Sequence, residues 1–167
     1  MTLPLYFIRS DISSDQLQKQ AVALYNTGQY YCSEVVVKII RDTFCPSVPD
    51  AVIAAASGFP VGMGGGGCVC GAVAGGVMAL GLVFGRTKPE EKDKSADCLR
   101  YARELHDAFR KENKAVCCRV LTKHMLDDPD GHMKQCAELS GDVTKIVVDI
   151  ILRETGDTNH FMSPHPK

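Results

Sequence analysis

The sequence predicts an all-α fold, a single-domain helical bundle with a central glycine-rich helix. Two observations lead to this prediction. Apolar residues recur every three or four positions along most of the 167-residue chain, which is the period of a helix face that packs on a core. No run alternates apolar and polar residues, as a half-buried strand would. The hydrophobic content of 45% is enough for one core.

The first three helices are predicted from their end signals. Ser13 is a suitable N-cap, and Gly28 suits the C-terminal end of the helix that follows it. A second helix has Cys32 on its apolar stripe and stops near Cys45, because a proline comes next. Pro49 can open a short third helix.

The glycine-rich segment 51–85 has no charged residue, so a membrane span must be considered. We predict no membrane span. Pro60 and the glycines 64–67 split the segment, and the part from Cys68 to Phe84 is slightly shorter than a span requires. A buried central helix fits better, and its small residues would let a neighbouring backbone approach closely.

The second half of the chain shows further helical stripes. After a charged turn at 88–94, a stripe containing Cys98 predicts a helix with a solvated outer face. Residues 116–125 predict a shorter helix. The chain should then break at Pro129.

Cys136 lies on the next predicted helix, which we expect to end at Gly141 before a last helical stripe. The predicted organisation is an N-terminal extension over residues 1–12, a helical domain over 13–155 and a flexible tail over 156–167.

Charge and cysteine content limit the classes of function. A net charge of −1 gives no broad basic surface for nucleic acid or anionic lipid, so we expect no nucleic-acid partner. The first ten residues lack the features of a signal peptide, which predicts a cytoplasmic protein with reduced thiols. Eight cysteines in such a protein indicate metal binding or redox chemistry, although a free cysteine can also pack as a small hydrophobe.

Six cysteines are candidates for a shared site, and they fit no local motif for haem, for a thioredoxin-like dithiol or for a ferredoxin. They are Cys32, Cys68, Cys70, Cys117, Cys118 and Cys136. Ligands would therefore come from different helices. Cys45 and Cys98 are interpreted as packing residues. His124 is a weaker candidate ligand because it lies near Cys117 and Cys118 in the sequence.

Four of these cysteines lie in segments with a recognisable pattern. They are QYYCSEVV around Cys32, the glycine-rich stretch 58–85 with CGAVAG from Cys70, CRVL from Cys118, and the segment around Cys136. Most of residues 14–154 thereby resembles the C_GCAxxG_C_C family of redox-active proteins. The resemblance implies a redox function. Many members of the family occur in anaerobic bacteria, and related domains occur in a class of cytochrome that carries an iron–sulfur centre.

The leading hypothesis is a redox or electron-transfer protein that binds an iron–sulfur cluster. Four soft thiolates suit iron–sulfur and zinc alike, and the resemblance favours iron–sulfur at Cys32, Cys70, Cys118 and Cys136. Cys68 and Cys117 stay open as alternative ligands, resolving thiols or packing residues. The alternatives are a thiol-disulfide oxidoreductase without metal, using Cys68/Cys70 or Cys117/Cys118, and a zinc-stabilised binding or scaffolding domain.

The glycines at 62–67 match G-x-G-x-x-G, but no strand precedes them, so the match is weak as a nucleotide site. We expect Gly64, Gly66 and Gly67 to lie over a cofactor and donate backbone N–H groups to it, with at least one residue at positive φ. The sequence identifies no redox partner protein. Segment 51–85 suits burial within one chain or a homodimer interface.

Overall fold

A computed structural model describes residues 12–125 and 128–156 and confirms the all-α prediction. Its helices are α1 (Ser14–Asn26), α2 (Cys32–Phe44), α3 (Ala51–Ala55), α4 (Pro60–Met63), α5 (Gly71–Phe84), α6 (Lys92–Asn113), α7 (Cys118–Thr122) and α8 (Pro129–Gly156). A 3₁₀ turn, Lys123–Met125, follows α7. Most of the predicted N-terminal extension and nearly all of the predicted tail lie outside the described residues.

The central helix is α5, which packs against α2, α6 and α8, while α1 packs along α8. Residues 71–76 of α5 are all buried. A Cβ atom on Gly75 would lie 2.5 Å from the Ser33 carbonyl oxygen in α2, and one on Gly76 would lie 2.7 Å from Leu105 in α6. The glycines therefore allow the close helix contact that the sequence predicts.

Helix α5 begins at Gly71 with Cys70 as its N-cap. The residues before Cys70 lie outside the helix, because Val69 forms an antiparallel bridge with Cys117. The same bridge delays the start of α7 to Cys118. In the part of the chain that the structure describes, no helix is both long and apolar enough to cross a membrane.

The predicted helix end at Gly141 is wrong. Helix α8 runs without interruption from Pro129 to Gly156. Gly141 is buried inside it, where a Cβ atom would lie 2.7 Å from Val22 Cγ2 in α1. This glycine permits close packing of α1 on α8, and the packing compensates for its low helix propensity.

Candidate cysteine site

Four cysteines from different parts of the bundle line one cavity. Cys32 begins α2, Cys70 is the N-cap of α5, Cys118 begins α7 and Cys136 lies in α8. All four line a cavity of about 110 Å³, whose other walls are mainly aromatic and aliphatic. The fold thus brings together four cysteines that are distant in the sequence.

The bridge between Val69 and Cys117 places two of these cysteines side by side. The backbone N–H of Cys70 donates to the carbonyl of the opposite segment at 2.7 Å, and the N–H of Cys118 donates to the Cys68 carbonyl. These bonds join the segment before α5 to the segment before α7. Cys70 and Cys118 therefore reach the cavity from adjacent backbones.

Cys32 reaches the cavity because the neighbouring position on α5 is a glycine. A Cβ atom on Gly71 would collide with Cys32 Sγ and would lie 3.1 Å from the Phe59 carbonyl oxygen. Any larger residue at position 71 would push the Cys32 thiol away from the other three.

Burial makes these thiols hard to ionise. Desolvation is the main reason that the pKa rises to about 11 for Cys32, about 12 for Cys70 and about 11 for Cys136. The pKa of Cys118 is raised by the same cause. The charge of a neighbouring thiolate raises the pKa further, as Cys136 does for Cys32. At neutral pH the four thiols are therefore protonated unless a cation displaces their protons.

Backbone amides oppose this effect at two of the sulfurs. N–H groups of Val61 and Ser33 lower the pKa of Cys32, although burial outweighs them. N–H groups at the start of α5 act in the same way on Cys70. The first amides of a helix have no partner within the helix and favour negative charge. The cavity therefore already contains hydrogen-bond donors directed at sulfur.

Sequence reasoning missed two cavity residues, Tyr25 and His132. Tyr25 is 6% exposed, its hydroxyl lies 3.9 Å from Met133 Sδ, and its hydrogen bond lowers the pKa of Cys136 against the larger effect of burial. His132 lies four residues before Cys136 on α8, and this helical spacing is a signal that could have identified it. His124, the candidate ligand, is exposed and is not among the described residues that line the cavity.

Cys68 and Cys117 lie beside the site but outside it. Cys68 is exposed, and its sulfur is 4.0 Å from the Gly66 carbonyl oxygen. Cys117 is half-buried and donates its S–H to the Gly67 carbonyl oxygen at 3.1 Å. Neither is among the described residues that line the cavity.

The remaining two cysteines are placed elsewhere. Cys45 is 2% exposed in the main core, and Cys98 is half-buried on α6. Neither lines the cavity within the described part of the chain.

The glycine loop, residues 62–67, packs against the segment that carries Cys118. Gly64 and Gly67 have positive φ, in agreement with the expectation for at least one residue. However, among the described residues, Gly64, Gly66 and Gly67 do not line the cavity. Gly66 instead accepts a hydrogen bond from Arg119 Nη2 at 2.9 Å. The two residues before the loop, Pro60 and Val61, line the cavity.

The cysteines are not arranged as a preformed ion site. Across residues 12–125 and 128–156, no three His, Cys, Asp or Glu side chains form a group that could hold a metal ion as they stand. Binding of a metal centre would require the cavity cysteines to turn their sulfurs towards one another. The donor set nevertheless fits such a centre chemically, because four thiols share one small, mainly apolar cavity.

Comparison with known proteins gives one match. The sequence model of the C_GCAxxG_C_C family, described as "Putative redox-active protein", matches residues 30–150. This range contains all four cavity cysteines. A search of curated proteins found no match, and a search of solved structures found none.

Proposed function

The chain belongs to the C_GCAxxG_C_C family, and we propose that it binds an iron–sulfur cluster through its four cavity cysteines. Cys32, Cys70, Cys118 and Cys136 would each supply one thiolate. An iron–sulfur cluster would supply one-electron transfer, with a potential set by hydrogen bonds to sulfur and by exclusion of solvent.

One observation carries the proposal: four helices each direct a cysteine to the same small cavity. Buried thiols cost free energy when they ionise, because a thiolate in an apolar cavity loses its hydration. A bound cationic centre offsets this cost. Because the four thiols share one cavity, they can act together as ligands of one centre, whereas cysteines packed at separate positions could not.

The surrounding residues have roles that follow from their contacts. The N–H groups of Val61 and Ser33 stabilise negative charge on Cys32. The hydroxyl of Tyr25 does the same for Cys136. Aliphatic lining residues such as Leu121 and Leu139 limit water around the sulfurs. The N–H groups and the hydroxyl would favour the more negative, reduced centre and so raise its reduction potential, whereas exclusion of water by the aliphatic residues would lower it.

Anaerobic purification followed by a visible spectrum and analysis for iron, sulfide and zinc tests the proposal. We expect iron and acid-labile sulfide together. Zinc in place of iron would indicate a structural centre and contradict the proposal. A protein free of metal under these conditions would also contradict it, and would favour thiol-disulfide chemistry.

Neighbouring cysteines provide matched controls for the ligand assignment. Cys70→Ser and Cys118→Ser remove thiols that line the cavity, whereas Cys68→Ser and Cys117→Ser remove thiols that do not. We expect the first pair to lose the centre and the second pair to retain it, as measured by iron content per chain. If iron is lost from the second pair and kept by the first, the assignment of the ligands is wrong.

A further inference from the structure

The segment from Val61 to Gly65 forms a left-handed turn in which all five residues have positive φ. Glycine adopts this conformation at little cost, but Val61 (φ 55°) and Met63 (φ 64°) are not glycines. Positive φ is rare and strained for a β-branched residue such as Val61. Such strain persists only where the surrounding structure holds it, and it is often found at functional sites.

Contacts on the inner side of the turn hold it in place. The Gly67 N–H donates to the Val61 carbonyl at 3.2 Å, and the Cys68 N–H donates to the Gly62 carbonyl at 3.1 Å. Gly62 is buried, and a Cβ atom on it would lie 2.8 Å from Cys118 Cβ. The turn is therefore clamped against the segment that carries Cys118.

Val61 lines the cysteine cavity and is also 51% exposed, so it lies between the cavity and solvent, as Tyr31 and Met133 do. Its backbone N–H lowers the pKa of Cys32, although burial outweighs this effect. Met63 has the same strained conformation and is 53% exposed, but it is not among the described residues that line the cavity.

We propose that Val61 is one of the residues that close the cysteine cavity against solvent, and that its left-handed conformation keeps its side chain over Cys32. The residue limits the access of small reagents to that thiol. Because the inference concerns access, it does not depend on what the cavity binds.

The test compares Val61→Gly with Met63→Gly in the full chain. Both changes remove an exposed side chain and relieve the strain of positive φ, and both keep the backbone N–H. Only the first removes a wall of the cavity. The rate of alkylation by iodoacetamide is measured by mass spectrometry of peptides. The peptide of residues 20–38 contains Cys32 as its single cysteine. The half-buried Cys98 is the internal reference.

We expect Val61→Gly to speed alkylation of Cys32 several-fold relative to Cys98, with a urea midpoint no lower than that of the wild type. Met63→Gly should leave the Cys32 rate unchanged. If Val61 served only to hold the fold together, faster alkylation of Cys32 in Val61→Gly would come with a lower urea midpoint. The proposal is overturned if Val61→Gly leaves Cys32 protected, if both variants expose it equally, or if exposure comes with a lower midpoint or a failure to fold.

The same samples are analysed for metal, and variants are compared at equal metal content. The metal content tests the proposed function. The ratio of the alkylation rates of Cys32 and Cys98 tests the Val61 inference. The two results are therefore distinguishable.

Discussion

Replacement by alanine at two glycines of α5 should have opposite effects on the stability of the protein. Gly75 faces α2, where a Cβ atom would lie 2.5 Å from the carbonyl oxygen of Ser33 and 2.8 Å from its Cα. Gly81 has no atom within 4 Å of that position. Alanine is preferred to glycine inside a helix by about 1 kcal/mol, and this gain applies to both sites.

The difference between Gly75→Ala and Gly81→Ala therefore isolates the packing cost. The atoms that meet a Cβ at position 75 belong to backbone, so they cannot rotate away, and α2 and α5 must separate. Overpacking of this kind costs about 1–3 kcal/mol. We expect Gly81→Ala to stabilise the protein by up to about 1 kcal/mol and Gly75→Ala to be less stable than Gly81→Ala by about 1–3 kcal/mol.

Urea unfolding, monitored by circular dichroism, measures the free energy of unfolding of both variants. An unchanged slope of this free energy against urea concentration confirms that the unfolding reaction is the same. Gly75→Ala also displaces Ser33, which follows Cys32 in the chain, so the variant should bind less metal than Gly81→Ala. If Gly75→Ala were as stable as Gly81→Ala, the close contact of α2 with α5 would be incorrect.

Two further predictions concern pH and the loop. The folded protein raises the thiol pKa above the unfolded value of 9.0, to about 11 for Cys32 and about 12 for Cys70. The contribution of these thiols to the free energy of unfolding of the metal-free protein should therefore be fully present below pH 9, and it should be lost as pH rises towards 11–12. A urea midpoint that is equal at pH 8 and pH 10.5 would contradict this. Replacing Gly67 by Val places a side chain against Arg119 at positive φ. This variant should lose metal by displacing α7, whereas full iron loading with unchanged helicity would show that the loop does not support the site.

The sequence allowed prediction of those features that follow from periodicity and end signals. Helix α1 starts after its Ser13 cap, and α2 ends at Phe44 with Cys45 as its C-cap before a proline, as expected. The clustering of Cys32 with Cys136 was also suggested by sequence, because each lies on an apolar helix face. Local rules were sufficient for these features.

Other features depend on partners that are distant in the chain. Gly141 looked like a helix end, but its role depends on Val22 in α1. The bridge between Val69 and Cys117 depends on two segments that no local pattern connects. Positive φ at Val61 opposes the preference of valine, so residue type alone predicts the opposite conformation. His124 was named as a candidate ligand and His132 was not, although His132 lies four residues before Cys136 and lines the cavity.

The distribution of the four cysteines along the chain has a consequence for biosynthesis. Cys32 lies in α2 and Cys136 in α8, so the cavity is complete only after α8 has been synthesised and has docked. Until then the earlier thiols lack the burial that raises their pKa, and they ionise and oxidise as ordinary exposed cysteines do. The nascent chain is therefore most vulnerable to oxidants before α8 folds, and burial in the completed bundle reduces that vulnerability.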